Sequence, residues 1–374
     1  MEKFAFIIHP IDARRDVSRK GGIYQFARFL PESTVEWLIK QKKPIVASHI
    51  TGVKSLTGAE AEGWFIACPL TPRQFQTLPN DFVIKRLIQC GRIATDLGAK
   101  IIGLGAFTSV VGDGGITVAK NLDIAVTTGN SYTVASALEG TLDAARRMGI
   151  CLDQAKVAVV GATGSIGRTC ALLLAPQVAE VALIGRNLDK LTEVAVEITK
   201  TPVTIHDNVH DGLRDAQIVI TVTSAVDAVV QPEDLVPGCI VCDVARPRDV
   251  SIRVARERND VLVIEGGVVA VPGDNVEFNF NFGFPPKTAY ACMSETMTLA
   301  LEGRYESFTL GKDVSVRQVT EISQLASKHG FKLAGYRSFE KKVEDADIEA
   351  IRKNAQGKHL PTVAQAVIPS TEPI

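Results

Sequence analysis

An α/β architecture with a doubly wound parallel sheet in its central part is predicted by three observations. A short apolar strand runs into a glycine-spaced turn and a helix at residues 156–168. Short apolar runs then alternate with helical segments as far as residue 264, the pattern of a parallel sheet with crossover helices. Length supplies the third: 374 residues suit about two domains, and 46% hydrophobic against 22% charged content allows a large core.

Before the glycine turn, residues 81–97 and 133–148 read as helices. Residues 101–105 and 124–127 read as strands, each ending in a polar loop that contains or follows a glycine. Those loops, 106–109 and 128–131, place Ser109 and Asn130 as candidates for orienting a substrate. The polar run from Asn130 to Thr133 also stands where a helix should start, so capping alone would account for it.

The central stretch is Lys156-Val-Ala-Val-Val-Gly-Ala-Thr-Gly-Ser-Ile-Gly-Arg168. Its strand covers 157–160. Gly161 lets the chain turn sharply, Gly164 clears room for a pyrophosphate, and Gly167 lets the helix lie against the strand. The helix start offers backbone N–H groups and a positive dipole end to that pyrophosphate. A strand, this turn and a helix in sequence form a Rossmann dinucleotide fingerprint. Further strands are expected at 181–184, 203–206, 218–222, 239–244 and 261–264, with a helix over 188–199. Ligands of such sheets bind beyond the carboxyl ends of the strands, which points to Thr163, Ser165, Arg186, Thr223, Ser224 and Ala245.

The second strand decides the nucleotide. A carboxylate there would bind a ribose 2′-hydroxyl, but the strand ends Leu183-Ile-Gly-Arg-Asn187 without one. Arg186 can pair with a 2′-phosphate, with Arg168 assisting from the first helix, so NADPH is favoured over NADH.

Beyond the sheet, residues 278–284 form an aromatic loop and Pro285-Pro286 is expected to open a helix running to about Leu301. That places Cys292 about two turns in. A thiol near a helix N-terminus can react as thiolate, but free cysteines are commonly small core residues, and spacing alone leaves both readings open. Another helix is expected over 316–329, followed by a peripheral tail beyond 339. Cys239 and Cys242 lie in one apolar strand and diverge from each other, so they read as core. His206 and His210 lack a partner set for a metal, no metal site is expected, and His329 reads as satisfying helix-end carbonyls.

Composition excludes several classes. A formal net charge of −1, with both signs interspersed, gives no electrostatic case for nucleic acid or an anionic membrane surface. No apolar run approaches the roughly 20 residues that span a bilayer, so integral membrane association is not expected. The first ten residues hold too short an apolar run for a signal peptide. Seven scattered cysteines fit reduced thiols, and the expected location is cytoplasmic.

Several separate motifs, in order, resemble the long-chain acyl-[acyl-carrier-protein] reductase family. They include Val53-Lys-Ser-Leu-Thr-Gly58, Leu104-Gly-Ala-Phe-Thr-Ser109, Thr127-Thr-Gly-Asn-Ser-Tyr-Thr133, the glycine motif, Ile184-Gly-Arg-Asn187 and Glu265-Gly-Gly267. Ala289-Tyr-Ala-Cys-Met-Ser-Glu-Thr-Met297, Leu301-Glu-Gly-Arg-Tyr305 and Ser327-Lys-His-Gly-Phe331 continue the series. The resemblance spans most of residues 1–335. It implies NADPH-dependent reduction of a fatty acyl thioester, carried by acyl carrier protein or coenzyme A, to a fatty aldehyde. It also implies Cys292 as the nucleophile that carries the acyl group. The implied organisation is an N-terminal α/β substrate domain at 1–150 and an NADP-binding Rossmann domain at 151–275. C-terminal helices at 276–339 pack back, followed by the 340–374 tail. An aldehyde-consuming enzyme is possible as a partner but is not implied.

The basic stretch 10–22, the Asn- and Phe-rich loop 274–284 and the long tail depart from the family pattern. Asp243-Val-Ala-Arg-Pro-Arg-Asp249 is similar to a loop of glutamyl-tRNA reductase, although no matching nucleophile motif stands in the N-terminal half. The alternatives are a hydroxy- or amino-acid dehydrogenase of shikimate-dehydrogenase-like layout, with Cys292 structural, and a non-catalytic NADP-binding regulator.

Overall fold

The computed structural model describes residues 1–18, 21–281 and 283–357. Residue 282 of the aromatic loop, residues 19–20 of the basic stretch and the tail beyond 357 lie outside the described residues.

The central sheet has six strands in the spatial order Leu262–Glu265, Ile240–Asp243, Ile218–Thr221, Lys156–Val160, Glu180–Ile184 and Val203–His206. Every neighbouring pair is parallel. Their near-continuous Val, Ile and Leu content suits strands covered on both faces. The chain starts in the middle, at Lys156–Val160, and winds first to one edge and then to the other. That reversal leaves a crevice beyond the glycine turn, where such sheets hold ligands. Cys239 and Cys242 are both fully buried but belong to separate hydrophobic clusters, one on each face of the sheet.

The N-terminal unit is a five-stranded mixed sheet in the order Ile45–Lys54, Glu60–Ala67, Glu2–Ile8, Ile101–Gly103 and Ala125–Thr127. Its first three strands were not part of the sequence expectation. Ile45–Lys54 pairs antiparallel with Glu60–Ala67 through two register shifts, so its alternation is broken where a two-residue period would show it.

Two expectations need correction. The proline pair does not open the helix: Thr288–Tyr290 is a strand, antiparallel to Val268–Ala270, and the helix is Ala291–Leu301. Edge pairing with a neighbouring strand outweighs the tolerance of proline in a first turn. The tail is also more than peripheral. Tyr336–Ser338 and Lys341–Val343 form a hairpin, and Asp345–Gln356 is a helix that buries Ile348 in the core of the central sheet.

The remaining helices follow their patterns. Asn80–Asp96, Leu188–Glu197 and Val316–His329 form where expected, the last opened by a Ser315/Gln318 capping box. Asn130–Met148 joins the two units. Its Tyr132 packs with Phe4, Phe6 and Met297, while Val134, Ala144 and Met148 pack under the central sheet. Among the described residues no helix is long and apolar enough to cross a membrane.

Candidate functional site

Gly161 turns at φ +87°, and a Cβ there would meet the Val222 carbonyl oxygen at 2.5 Å. Only glycine fits. At Gly167 a Cβ would stand 2.4 Å from the Gly161 oxygen, which locks the helix Ser165–Leu174 onto the turn. A Cβ on Gly164 would meet nothing nearer than that same oxygen at 3.3 Å, so the backbone faces open space where a pyrophosphate would lie. Thr163, Gly164, Ser165 and Arg186 all line the cleft above this turn. The cradle fits a dinucleotide.

Arg186 is exposed at the cleft wall. Arg168 is not its helper, because its guanidinium is held by Glu197 on the next helix. Thr223 and Ala245 line the cleft but spend their donors internally. The Thr223 N–H donates to Asp249 at 2.7 Å and the Ala245 N–H donates to Asp243 at 3.1 Å. Burial pushes the Asp243 carboxyl up to about 6. Ser224 accepts a bond from Gln76 Nε2 at 2.7 Å through its carbonyl, tying the two lips of the cleft together.

Across the cleft stands Cys292. The revised helix start puts it at the second helical residue, just after Tyr290, so the first-turn N–H groups surround it. Burial pushes its thiol up to about 12. The N–H of Met293 pulls the other way, Glu295 adds to the rise, and the Cys292 N–H and the Arg246 guanidinium also pull it down. Two glycines make room for it. A Cβ on Gly129, where φ is +75°, would overlap Cys292 Cα and Cβ at 2.3 Å, and one on Gly105 would lie 3.3 Å from Sγ.

Asn130 is not a cap, since Gly129 occupies that place in the left-handed region. Instead Asn130 Nδ2 donates to Ser165 Oγ at 3.3 Å, linking the thiol side of the cleft to the nucleotide side. Ser131 donates to Glu295 at 2.8 Å, as does the Tyr132 N–H at 2.8 Å. Thr127 and Thr309 complete the set around that fully buried carboxyl. Burial raises the Glu295 carboxyl, and these donors pull it back. Ser109 lines the cleft, but its hydroxyl donates to the Ala106 carbonyl at 2.7 Å.

Sequence reasoning missed Glu295, Arg246 and Tyr290. Glu295 lies three residues after Cys292 on the same helix face, a spacing that could have marked it. Arg246 sits in the Asp243–Asp249 motif and reaches over the Tyr290 ring at 5.4 Å, with Nε 3.4 Å from the Tyr290 hydroxyl. Its Nη2 is buried 3.5 Å from Glu265 without a hydrogen-bond partner, a cation held beside the cleft. His329 does not serve helix-end carbonyls. It bridges Ser55 Oγ at 2.8 Å and Glu302 at 2.7 Å, far from helix-capping geometry.

One continuous cleft of about 1860 Å³ contains the glycine turn, Arg186, Arg246, Tyr290 and Cys292. It runs on between apolar walls that include Phe6, Ile8, Phe107 and Val110. The arrangement puts a thiol at a helix N-terminus opposite a dinucleotide cradle, with room for an apolar chain.

Comparison with known proteins agrees with the nucleotide half of this geometry. A family model for shikimate/quinate 5-dehydrogenase matches residues 143–265. The chain is 29% identical over 354 residues to the aminotransferase PigE of a Serratia species, covering 91% of this chain and 41% of that protein. Over 351 residues it is 27% identical to the long-chain acyl-[acyl-carrier-protein] reductase of Synechococcus elongatus, covering 88% of this chain and 98% of that protein. Among solved structures, L-tryptophan dehydrogenase from Nostoc punctiforme is similar at 12% identity and a TM-score of 0.40, over 95% of this chain and 88% of that one. The chain thus spans less than half the length of the aminotransferase and nearly all of the reductase. The glycine cradle and the dehydrogenase match over residues 143–265 together indicate a nicotinamide cofactor.

Proposed function

We propose that this chain is an NADPH-dependent reductase of long-chain acyl thioesters, borne by acyl carrier protein or coenzyme A, and that it releases fatty aldehyde. The observation that carries this reading is the placement of Cys292 at a helix N-terminus, facing the dinucleotide cradle across an apolar cleft. Near-complete coverage of the cyanobacterial reductase supports it. The dehydrogenase match ends at residue 265 and does not reach Cys292, so it speaks only for the nucleotide half.

In this reading Cys292 Sγ attacks the thioester carbonyl carbon. A new C–S bond forms, the bond to the carrier sulfur breaks, and the cysteine proton leaves with the carrier thiol. Arg246 and the first-turn N–H groups favour the thiolate needed for attack. A reduced nicotinamide, when bound, supplies the hydride that converts the acyl-enzyme to aldehyde. The Cys292–acyl bond then breaks, and the sulfur recovers a proton from solvent. Glu295 acts through position: with Thr127, Ser131 and Thr309 it fixes the loop that presses on Cys292. Arg186, with no carboxylate at the end of its strand, supports the preference for NADPH.

The test is incubation of the purified chain with a long-chain acyl thioester, read by intact mass and aldehyde formation. Without NADPH a hydroxylamine-sensitive acyl adduct should accumulate, and Cys292→Ala should abolish it. Adding NADPH should discharge the adduct as aldehyde, with Arg186→Ala losing about tenfold or more of the preference over NADH. Absence of both adduct and aldehyde with any acyl thioester would remove the reading.

A further inference from the structure

The segment from Ala13 to Lys40, described over residues 13–18 and 21–40, is built inside out. Its buried core is Ala13, Ala27 and Val35, with Val17 and Ile39 packed against them. Its large apolar residues face outward: Ile23 is 79% exposed, Phe29 71%, Phe26 66% and Trp37 59%. A soluble surface carries scattered apolar side chains, but a segment that buries alanine and exposes phenylalanine, tryptophan and isoleucine is completed by an apolar partner.

The charges beside this face have one dominant sign. Arg14, Arg15, Arg28, Lys42 and Lys43 are exposed, and Arg28 lies over the Phe29 ring at 4.5 Å. Opposing carboxylates are fewer: Glu32 is exposed, while Asp16 and Glu36 are turned to internal partners. Asp16 accepts the N–H groups of Ile11 at 2.8 Å and Asp12 at 3.0 Å, and buried Glu36 accepts from Thr71 at 2.6 Å. Chain-wide neutrality therefore conceals a local basic rim around an apolar face. The same segment borders the cleft, whose lining includes Ile11, Val17, Ile39, Ile45 and Val46.

We infer that the described residues 11–18 and 21–46 form a membrane-interfacial cap, which seats the mouth of the cleft on an anionic lipid surface without spanning it. Aromatic and aliphatic side chains enter the headgroup boundary while Lys and Arg meet anionic headgroups. A second copy of the chain is the poorer occupant. The adjoining edge strand Ile45–Lys54 is interrupted by two register shifts and bridged at Thr51 to Glu277, which spoils it for pairing with another strand. A folded acidic carrier would use the basic rim but leave the apolar face uncovered. Seated this way, the cleft could exchange an apolar ligand with the bilayer without passing it through water.

Lipid binding is measured without turnover, so its outcome is independent of the acyl-thioester reading. The full chain is sedimented with vesicles of phosphatidylcholine alone and of phosphatidylcholine mixed with phosphatidylglycerol. It should partition onto the mixed vesicles about tenfold more strongly, and added salt should weaken that binding. Phe26→Ser with Phe29→Ser should reduce partitioning about tenfold, and Arg28→Glu with Lys43→Glu should remove the preference for the anionic lipid. These side chains are exposed, so far-ultraviolet circular dichroism should be unchanged. Tryptophan emission should shift to the blue on mixed vesicles, and Trp37→Phe should remove that shift. Failure to sediment with either vesicle, or equal sedimentation of the serine variant, overturns the inference. So does a serine variant that turns an oligomer into a monomer by ultracentrifugation, or one that loses only acyl-carrier binding.

Discussion

At the residue scale, the proposed reaction turns on opposing influences on one sulfur. Burial drives the Cys292 thiol up to about 12, while the Met293 and Cys292 N–H groups and Arg246 oppose it. Arg246 lies over Tyr290, two residues before the cysteine, and its hydrogen-bond capacity is not filled at Nη2. Removing that cation should make the thiolate harder to form, since a nearby opposite charge favours the ionised group. Arg246→Met should therefore move the pH midpoint of Cys292 alkylation by iodoacetamide upward by about one unit, and Arg246→Lys should restore part of the shift. An unchanged midpoint in the Met variant would show that Arg246 only braces Glu265 and Tyr290. Glycine spacing made the dinucleotide cradle legible in sequence. Arg246 was not, although its loop Asp243–Asp249 was noted in sequence, because its approach to Tyr290 and Cys292 across the chain exists only after folding. The reactive reading of Cys292 could not be separated from a core cysteine by spacing, since its place in the helix was misjudged by nearly two turns.

At the element scale, the site is held by how closely a loop and a helix approach. The loop that ends the strand Ala125–Thr127 crosses the start of Ala291–Leu301 with no side chain between them at Gly129. Its residues then grip Glu295 from the opposite side through Thr127, Ser131 and Tyr132. A methyl group at position 129 would demand both a left-handed backbone and space already filled by Cys292. Gly129→Ala should cut turnover by at least about a hundredfold through displacement of the thiol, the scale of loss expected from an ångström-sized misplacement. NADPH binding, measured by fluorescence titration, should change less than about threefold, because the glycine cradle lies on the other side of the cleft. Equal loss of both would place Gly129 in general folding instead. Strands and helices with steady periods were readable within two or three residues of their observed ends. The helix before Cys292 was not, because a proline pair marks a permitted helix start, and strand pairing with Val268–Ala270 is a long-range fact.

At the scale of the whole molecule, the sequence divides more cleanly than the structure does. A boundary near residue 150 follows from the glycine motif, yet three segments ignore it. Helix Asn130–Met148 supplies Tyr132 to the N-terminal core and Val134, Ala137 and Met148 to the core beneath the central sheet. Val316–His329 does likewise, with Val319 in the second core and Ile322 and Ala326 in the first. The tail returns to bury Ile348 with the central sheet, and Tyr336 beside it donates to Asp143 on the connecting helix. Elements that belong to two cores couple their stability, so neither core can open without exposing part of the other. Calorimetry should therefore show one unfolding transition whose calorimetric and van't Hoff enthalpies agree. Met297→Ala, in the N-terminal core, and Ile348→Ala, in the tail, should each cost about 2–5 kcal/mol and lower that single transition together. If Ile348→Ala instead split the trace, leaving a transition at the original temperature, the nucleotide-binding unit would be an independent domain, and the cleft would be a contact between two bodies free to separate.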